Sequence, residues 1–147
     1  SYKARLEKLN PDFKVFEKAC PLFVPLVENG LIHKDDQIVR LTIKRYLLEL
    51  VENDIDTLIL GCTHYPLLAE AISSVIGNSI ELIDSGYETA IYAQKVLKEE
   101  NLLNNSAEKG TSAFYVSDTP DDFENIAGLF LGKDMEHTVT QINIEKY

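Results

Sequence analysis

Cys62 and His64 stand two residues apart in the run Leu58-Ile59-Leu60-Gly61-Cys62-Thr63-His64-Tyr65-Pro66-Leu67-Leu68. A thiol and an imidazole this close in the chain can support three chemistries. The thiolate can attack a carbonyl with the imidazole as its base, as in Cys–His acyl-transfer hydrolases. It can instead act as a base at carbon and abstract an α-proton, with the imidazole as acid/base or as a positive charge that favours the thiolate. Sulfur and nitrogen can also bind a metal, but further ligands at a suitable spacing are missing. Spacing alone does not separate acyl transfer from proton transfer. Thr63 offers a hydroxyl and a backbone N–H to an anion at a helix start, and it can equally serve as a helix N-cap.

These residues need a strand, a tight turn and a helix to hold them. Thr57 to Leu60 is apolar enough for a strand covered on both faces, as in a parallel sheet. Pro66 sits where a first-turn proline is tolerated, and the apolar period runs on to about Ile76, where Gly77-Asn78 stops it. Cys62 therefore lies at the positive end of a helix dipole, a place that suits a reactive sulfur. The other cysteine, Cys20, lies in an Ala-Cys-Pro segment and reads as a core residue. The two form no C-x-x-C pair, and free thiols in a reducing cytoplasm are expected.

Strand–helix alternation runs through the rest of the chain. Helices are expected over 1–9, 21–28, 37–52, 88–100 and 120–131, the third capped by Asp35-Asp36 with Val39, Ile43, Tyr46, Leu47 and Leu50 as its apolar stripe. Strands are expected over 13–19, 57–60, 80–83, 113–116 and 138–144, with Asp84-Ser85-Gly86 as a turn and Gly132-Lys133 ending the last helix. The fold class is α/β, a mostly parallel sheet flanked by helices. Ligands of such folds bind beyond the carboxyl ends of the strands, where Gly61 to His64 and Asp84 to Gly86 both fall.

Fourteen basic residues against 24 acidic ones leave a net charge of −10 over 147 residues. Nucleic acid and anionic membrane both call for clustered Lys and Arg, so neither is an expected partner. No apolar run is long enough to span a bilayer, and no signal-peptide pattern opens the chain. The first methionine is Met135, which suggests a fragment or a processed product.

Leu60-Gly61-Cys62-Thr63-His64-Tyr65-Pro66-Leu67 resembles the second-cysteine motif of the glutamate racemase family. Ala19-Cys20-Pro21-Leu22-Phe23-Val24-Pro25-Leu26-Val27-Glu28 is similar to another segment typical of that family. Leu82-Ile83-Asp84-Ser85-Gly86 with Glu88-Thr89-Ala90 is consistent with it, as are Phe114 to Ser117 and Phe130 to Gly132. The resemblance implies a cofactor-independent isomerase that makes D-glutamate for peptidoglycan. Two cysteines, one from each of two pseudo-symmetric α/β domains, would face opposite sides of the substrate Cα, one removing a proton and the other returning one. On that resemblance Cys62 is the catalytic cysteine of the second domain, His64 the histidine assisting it, Glu28 the acidic partner on the histidine side and Thr63 a substrate-binding residue. No cofactor or metal is implied.

Two departures narrow the reading. The family's Asp-Ser-Gly opening and its Cys-Asn-Thr turn with the first cysteine do not occur in this sequence. Asp84-Ser85-Gly86 comes after the second cysteine and reads as a turn and helix cap. The resemblance thus implies the C-terminal portion of such an enzyme, with residues 1–103 as the second α/β domain, incomplete at its N-terminal side, and 104–147 as a strand–helix–strand segment that packs on the other domain. Apolar faces around Phe114, Phe123, Phe130 and Ile142 would then be exposed and favour a homo-oligomer or other self-association. An aspartate or other amino-acid racemase, a Cys–His hydrolase and a non-catalytic binding module remain as alternatives.

Overall fold

The computed structural model describes residues 2–108, 110–131 and 139–146. Two compact units, Ser1–Ile91 and Tyr92–Tyr147, divide the chain. The first holds α1 (Tyr2–Leu9), α2 (Phe23–Glu28), α3 (Gln37–Glu52), β1 (Thr57–Leu60), α4 (Ala69–Ile76) and β2 (Glu81–Asp84), with a 3₁₀ turn at Tyr65–Leu68 leading into α4. Helix α5 (Ser85–Glu99) follows β2. The second unit holds β3 (Phe114–Val116), α6 (Pro120–Leu131), β4 (Val139–Gln141) and a 3₁₀ turn at Ile144–Lys146. Both pairs of strands are parallel, β1 with β2 and β3 with β4.

Helix α3 is the organiser of the first unit. Asp36 caps it, its Oδ1 accepting from the backbone N–H of Ile38 at 2.7 Å and of Val39 at 3.2 Å. Val39, Ile43, Leu47 and Leu50 point inward along one face, the face expected from their spacing. They meet Phe23, Leu26 and Val27 of α2 and Leu68, Ala71 and Ile72 of the next helical stretch in one apolar cluster. Phe23 lies edge-on to both Tyr46 and Tyr65, at centroid distances of 5.5 and 5.2 Å. Gly77 ends α4 with φ at +95°, a backbone region that side-chain-bearing residues rarely enter.

Several sequence expectations need correction. Residues 13–19 form no strand, because the segment has no ladder partner among the described residues and Phe13 and Phe16 stay exposed. Asp84 caps α5 as expected, its Oδ1 accepting from the N–H of Gly86 and Tyr87, but the helix starts at Ser85 directly after β2 rather than near Glu88. The 3₁₀ turn takes the first residues assigned to the Pro66 helix, and α4 proper starts only at Ala69. Strand β1 is not covered on both faces either, since Thr57 is exposed and only Leu60 is fully buried.

In the second unit, β4 ends at Gln141, earlier than the expected 144, because the chain turns into its last 3₁₀ turn. Thr138 and the Gly132-Lys133 helix stop lie outside the described residues. Phe114 and Phe123 are half-buried, because their rings pack on each other at 6.0 Å, and Ile142 is half-buried too. Phe130 is exposed as expected. No helix among the described residues is long and apolar enough to cross a membrane.

The cap of α3 gives a test of this arrangement. Asp36→Ala leaves two first-turn N–H groups without their acceptor and is expected to cost about 1 kcal/mol. Urea unfolding followed by circular dichroism would show the midpoint fall with an unchanged slope, and Asp36→Asn should restore most of it.

Candidate active site

Parallel pairing sets the site's frame. Leu60 stands opposite Asp84 in the β1–β2 register, so the turn after β1 and the start of α5 open at the same carboxyl edge. Ser85 Oγ donates to the Leu60 carbonyl at 3.3 Å and ties the two ends together. Gly61 follows at a tight spot, where a Cβ would come within 3.3 Å of Tyr2 Cε2. The small residue lets the Tyr2 ring lie against the backbone just before the cysteine.

Cys62 is a half-buried free thiol on that turn, while Cys20 is free and buried. His64 heads the 3₁₀ turn without capping it through its side chain. Its two ring nitrogens meet different partners. Nδ1 lies 3.2 Å from Thr63 Oγ1, and Nε2 lies 3.5 Å from Glu28 Oε1. The imidazole is mostly covered, at 22 % exposure, whereas the Glu28 side chain keeps 45 % of its surface in water. The structure thus brings together Glu28, Thr63 and His64 next to Cys62, although Glu28 is 36 residues away from His64 in sequence. The Thr63 hydroxyl meets the imidazole, and no side-chain cap bond forms at the start of the 3₁₀ turn.

Tyr65 is the neighbour that the motif chemistry did not single out. Its hydroxyl donates to the Cys20 carbonyl at 3.2 Å while its ring packs on Phe23, which fastens the start of α2 to the turn bearing His64. Burial, then the nearby Cys20 and Cys62 sulfurs, push its phenol above the ordinary value. An aromatic residue between His64 and Pro66 carries no sequence mark of that role.

Cys20 is held for a different purpose. Burial pushes its thiol up from 9.0 to about 11, against the smaller opposing pull of the Lys18 ammonium. Its Sγ donates to the Lys18 carbonyl at 3.6 Å. Among the described residues no group of three or more His, Cys, Asp and Glu side chains converges as metal ligands would.

An accessible sulfur beside an imidazole that touches a carboxylate can exchange protons with a small molecule at the strand ends. The carboxylate on one ring nitrogen and the hydroxyl on the other fix the ring's orientation.

Known proteins carry a similar sequence and fold. The chain is 40% identical over 145 residues to a glutamate racemase of Geobacter metallireducens, covering 99% of this chain and 53% of that protein. It superposes on the crystal structure of glutamate racemase from Francisella tularensis in complex with D-glutamate with a TM-score of 0.86 and 33% identity, over 99% of this chain and 53% of that one. For the Thermus thermophilus glutamate racemase in complex with beta-chloro-D-alanine the TM-score is 0.76 at 40% identity, over 88% of this chain and 48% of that one. No family model matches. The chain spans about half the length of the curated relatives it matches, and its fold is that part of the aspartate/glutamate racemase fold.

The contrast between the two thiols is measurable. With its pKa raised from 9.0 to about 11, Cys20 holds about 100-fold less thiolate near pH 8 than an unperturbed cysteine. Iodoacetamide at that pH should label Cys62 first and Cys20 more slowly by about 10-fold or more, read by peptide mass mapping, since the greater nucleophilicity of a high-pKa thiolate offsets part of its scarcity. The gap should close in urea. Equal rates in the folded chain would contradict the buried placement of Cys20.

Proposed function

We propose that this chain supplies one wall of a glutamate racemase active site and serves a cofactor-independent, two-thiol interconversion of L- and D-glutamate. The observation that carries the reading is the half-open Cys62 thiol at the strand ends, beside an imidazole paired with Glu28. Sequence and fold kinship to glutamate racemases, one of them holding D-glutamate, supports the substrate.

In this scheme the Cys62 thiolate takes the Cα proton, so the Cα–H bond breaks, an S–H bond forms and the electron pair stays on carbon. A thiol on the opposite face then returns a proton to that carbon. In the reverse direction Cys62 is the donor. His64 assists the sulfur as acid and base, Glu28 is the acidic partner that orients the imidazole, and Thr63 binds the substrate's polar end. The protein is cytoplasmic in this reading, and its product feeds peptidoglycan. Residues 1–103 form the second α/β domain, and 104–147 pack on the other domain or, in its absence, drive self-association.

The second thiol is not Cys20, which is buried and bonded to the Lys18 carbonyl. It belongs to the part of the enzyme that this chain does not cover. The 147-residue chain alone is therefore expected not to racemise glutamate, as followed by circular dichroism of the amino acid. Appreciable turnover would overturn the two-wall scheme. In a full-length racemase carrying this sequence, Cys62→Ala should lower turnover by about 10²- to 10⁴-fold, the usual range for a positioned acid/base group. Solvent deuterium should enter glutamate Cα in the unsubstituted enzyme. Normal activity of the variant would remove Cys62 from the mechanism.

A further inference from the structure

Tyr65 is tied to both cysteines of the chain through its polar groups. Its backbone N–H donates to the Cys62 carbonyl at 3.2 Å, within the turn that carries the thiol. Its hydroxyl donates to the Cys20 carbonyl, also at 3.2 Å but 45 residues away. That carbonyl already accepts from the Phe23 N–H at 3.0 Å, the bond that opens α2. A carbonyl oxygen has two lone pairs, and Tyr65 takes the second. With a phenylalanine at 65 the carbonyl would keep its backbone partner, and the ring could pack edge-on to Phe23 as the tyrosine does. Folding therefore does not call for an oxygen at this place. Burial holds the phenol above its ordinary value, so the hydroxyl retains the proton it donates.

The use of that bond follows from where its ends lie. Helix α2 meets the 3₁₀ turn twice, at its start through Cys20 and Tyr65 and at its last residue through Glu28 and His64. Six helical residues span only about 9 Å. Asn29 closes the far end, its N–H and its Nδ2 donating to the Pro25 carbonyl at 3.2 and 2.8 Å. So short a strut moves as a unit, and a shift at its start is carried to Glu28. At 3.5 Å, with the carboxylate nearly half in water, the Glu28–His64 contact is too weak to set its own geometry. We infer that the Tyr65 hydroxyl is a positioning group for the reaction: by holding the Cys20 carbonyl it sets the place of Glu28 against the imidazole of His64. The reaction in question is the racemisation proposed above, on which this role rests.

The test has two arms. In a full-length racemase carrying this sequence, Tyr65→Phe should lower kcat roughly 10-fold and leave KM within about 2-fold, the mark of lost alignment in the transition state and not of lost binding. In a Glu28→Ala background the same change should cost less than about 2-fold, since the hydroxyl acts through that carboxylate. The urea midpoint of Tyr65→Phe should stay where it was. In the 147-residue chain with ¹⁵N-labelled histidine, Tyr65→Phe and Glu28→Ala should each displace the His64 ring resonances in the same direction and leave those of His33 in place. This arm needs no turnover. Unmoved His64 resonances in Tyr65→Phe, equal losses of kcat in both backgrounds, or a Tyr65→Phe chain that fails to fold would each overturn the inference. Unimpaired Tyr65→Phe in an enzyme that racemises glutamate would overturn it too and leave the racemase reading standing. An unsubstituted full-length enzyme without turnover would remove both.

Discussion

The site depends on how Phe23 is packed. Its ring is buried between Tyr46 of α3 and Tyr65 of the 3₁₀ turn, both edge-on. That contact joins three elements that are distant in sequence: the helix ending in Glu28, the long helix at the centre of the core and the turn bearing Cys62 and His64. The Tyr65 hydroxyl on the Cys20 carbonyl adds a polar fastening at the same place. With Leu26 and Val27 in the core, this junction holds the Glu28 carboxylate near the imidazole, because α2 has only six residues and cannot position itself. Truncating Phe23 would open a cavity worth about 3–5 kcal/mol and loosen the site together with the core.

Much of this frame was legible in the residues, for local reasons. The stripe of α3 and the Asp36 cap are short-range signals, and both ends of the helix agree with the expected 37–52. Thr57 to Leu60 also stands where its apolar run and the following glycine put it. The errors share a cause of longer range. Residues 13–19 have strand composition, but a strand exists only through a neighbour, and none pairs with them among the described residues. At 84–86 the helix cap is where the residues put it, but the helix begins three residues earlier than expected, because an aspartate that accepts from two N–H groups can close a loop or start a helix and the residues beyond decide which.

The candidate site divides in the same way. Cys62, Thr63 and His64 declare themselves by adjacency, so their place at the strand ends could be argued from spacing. Glu28 has no such mark, being one more carboxylate at a helix end, and only kinship pointed to it. Tyr65 was hidden between His64 and Pro66. Tertiary packing assigned both of them a neighbour that no local pattern announces.

The contact between Glu28 and His64 also bears on how freely this site can change. At 3.5 Å, with the carboxylate nearly half in water, such a pair contributes roughly 0–1 kcal/mol to folding. The fold does not rely on it, since Phe23 and Tyr65 keep the two backbones in place whether or not the side chains touch. Substitutions at Glu28 can therefore change the surroundings of the imidazole without endangering the protein, and the cost of trying a new residue there is small. The junction at Phe23 has no such latitude. Variation among sequences of this fold should accordingly be read differently at the two positions: as a local change beside the imidazole at Glu28, and as a structural event at Phe23.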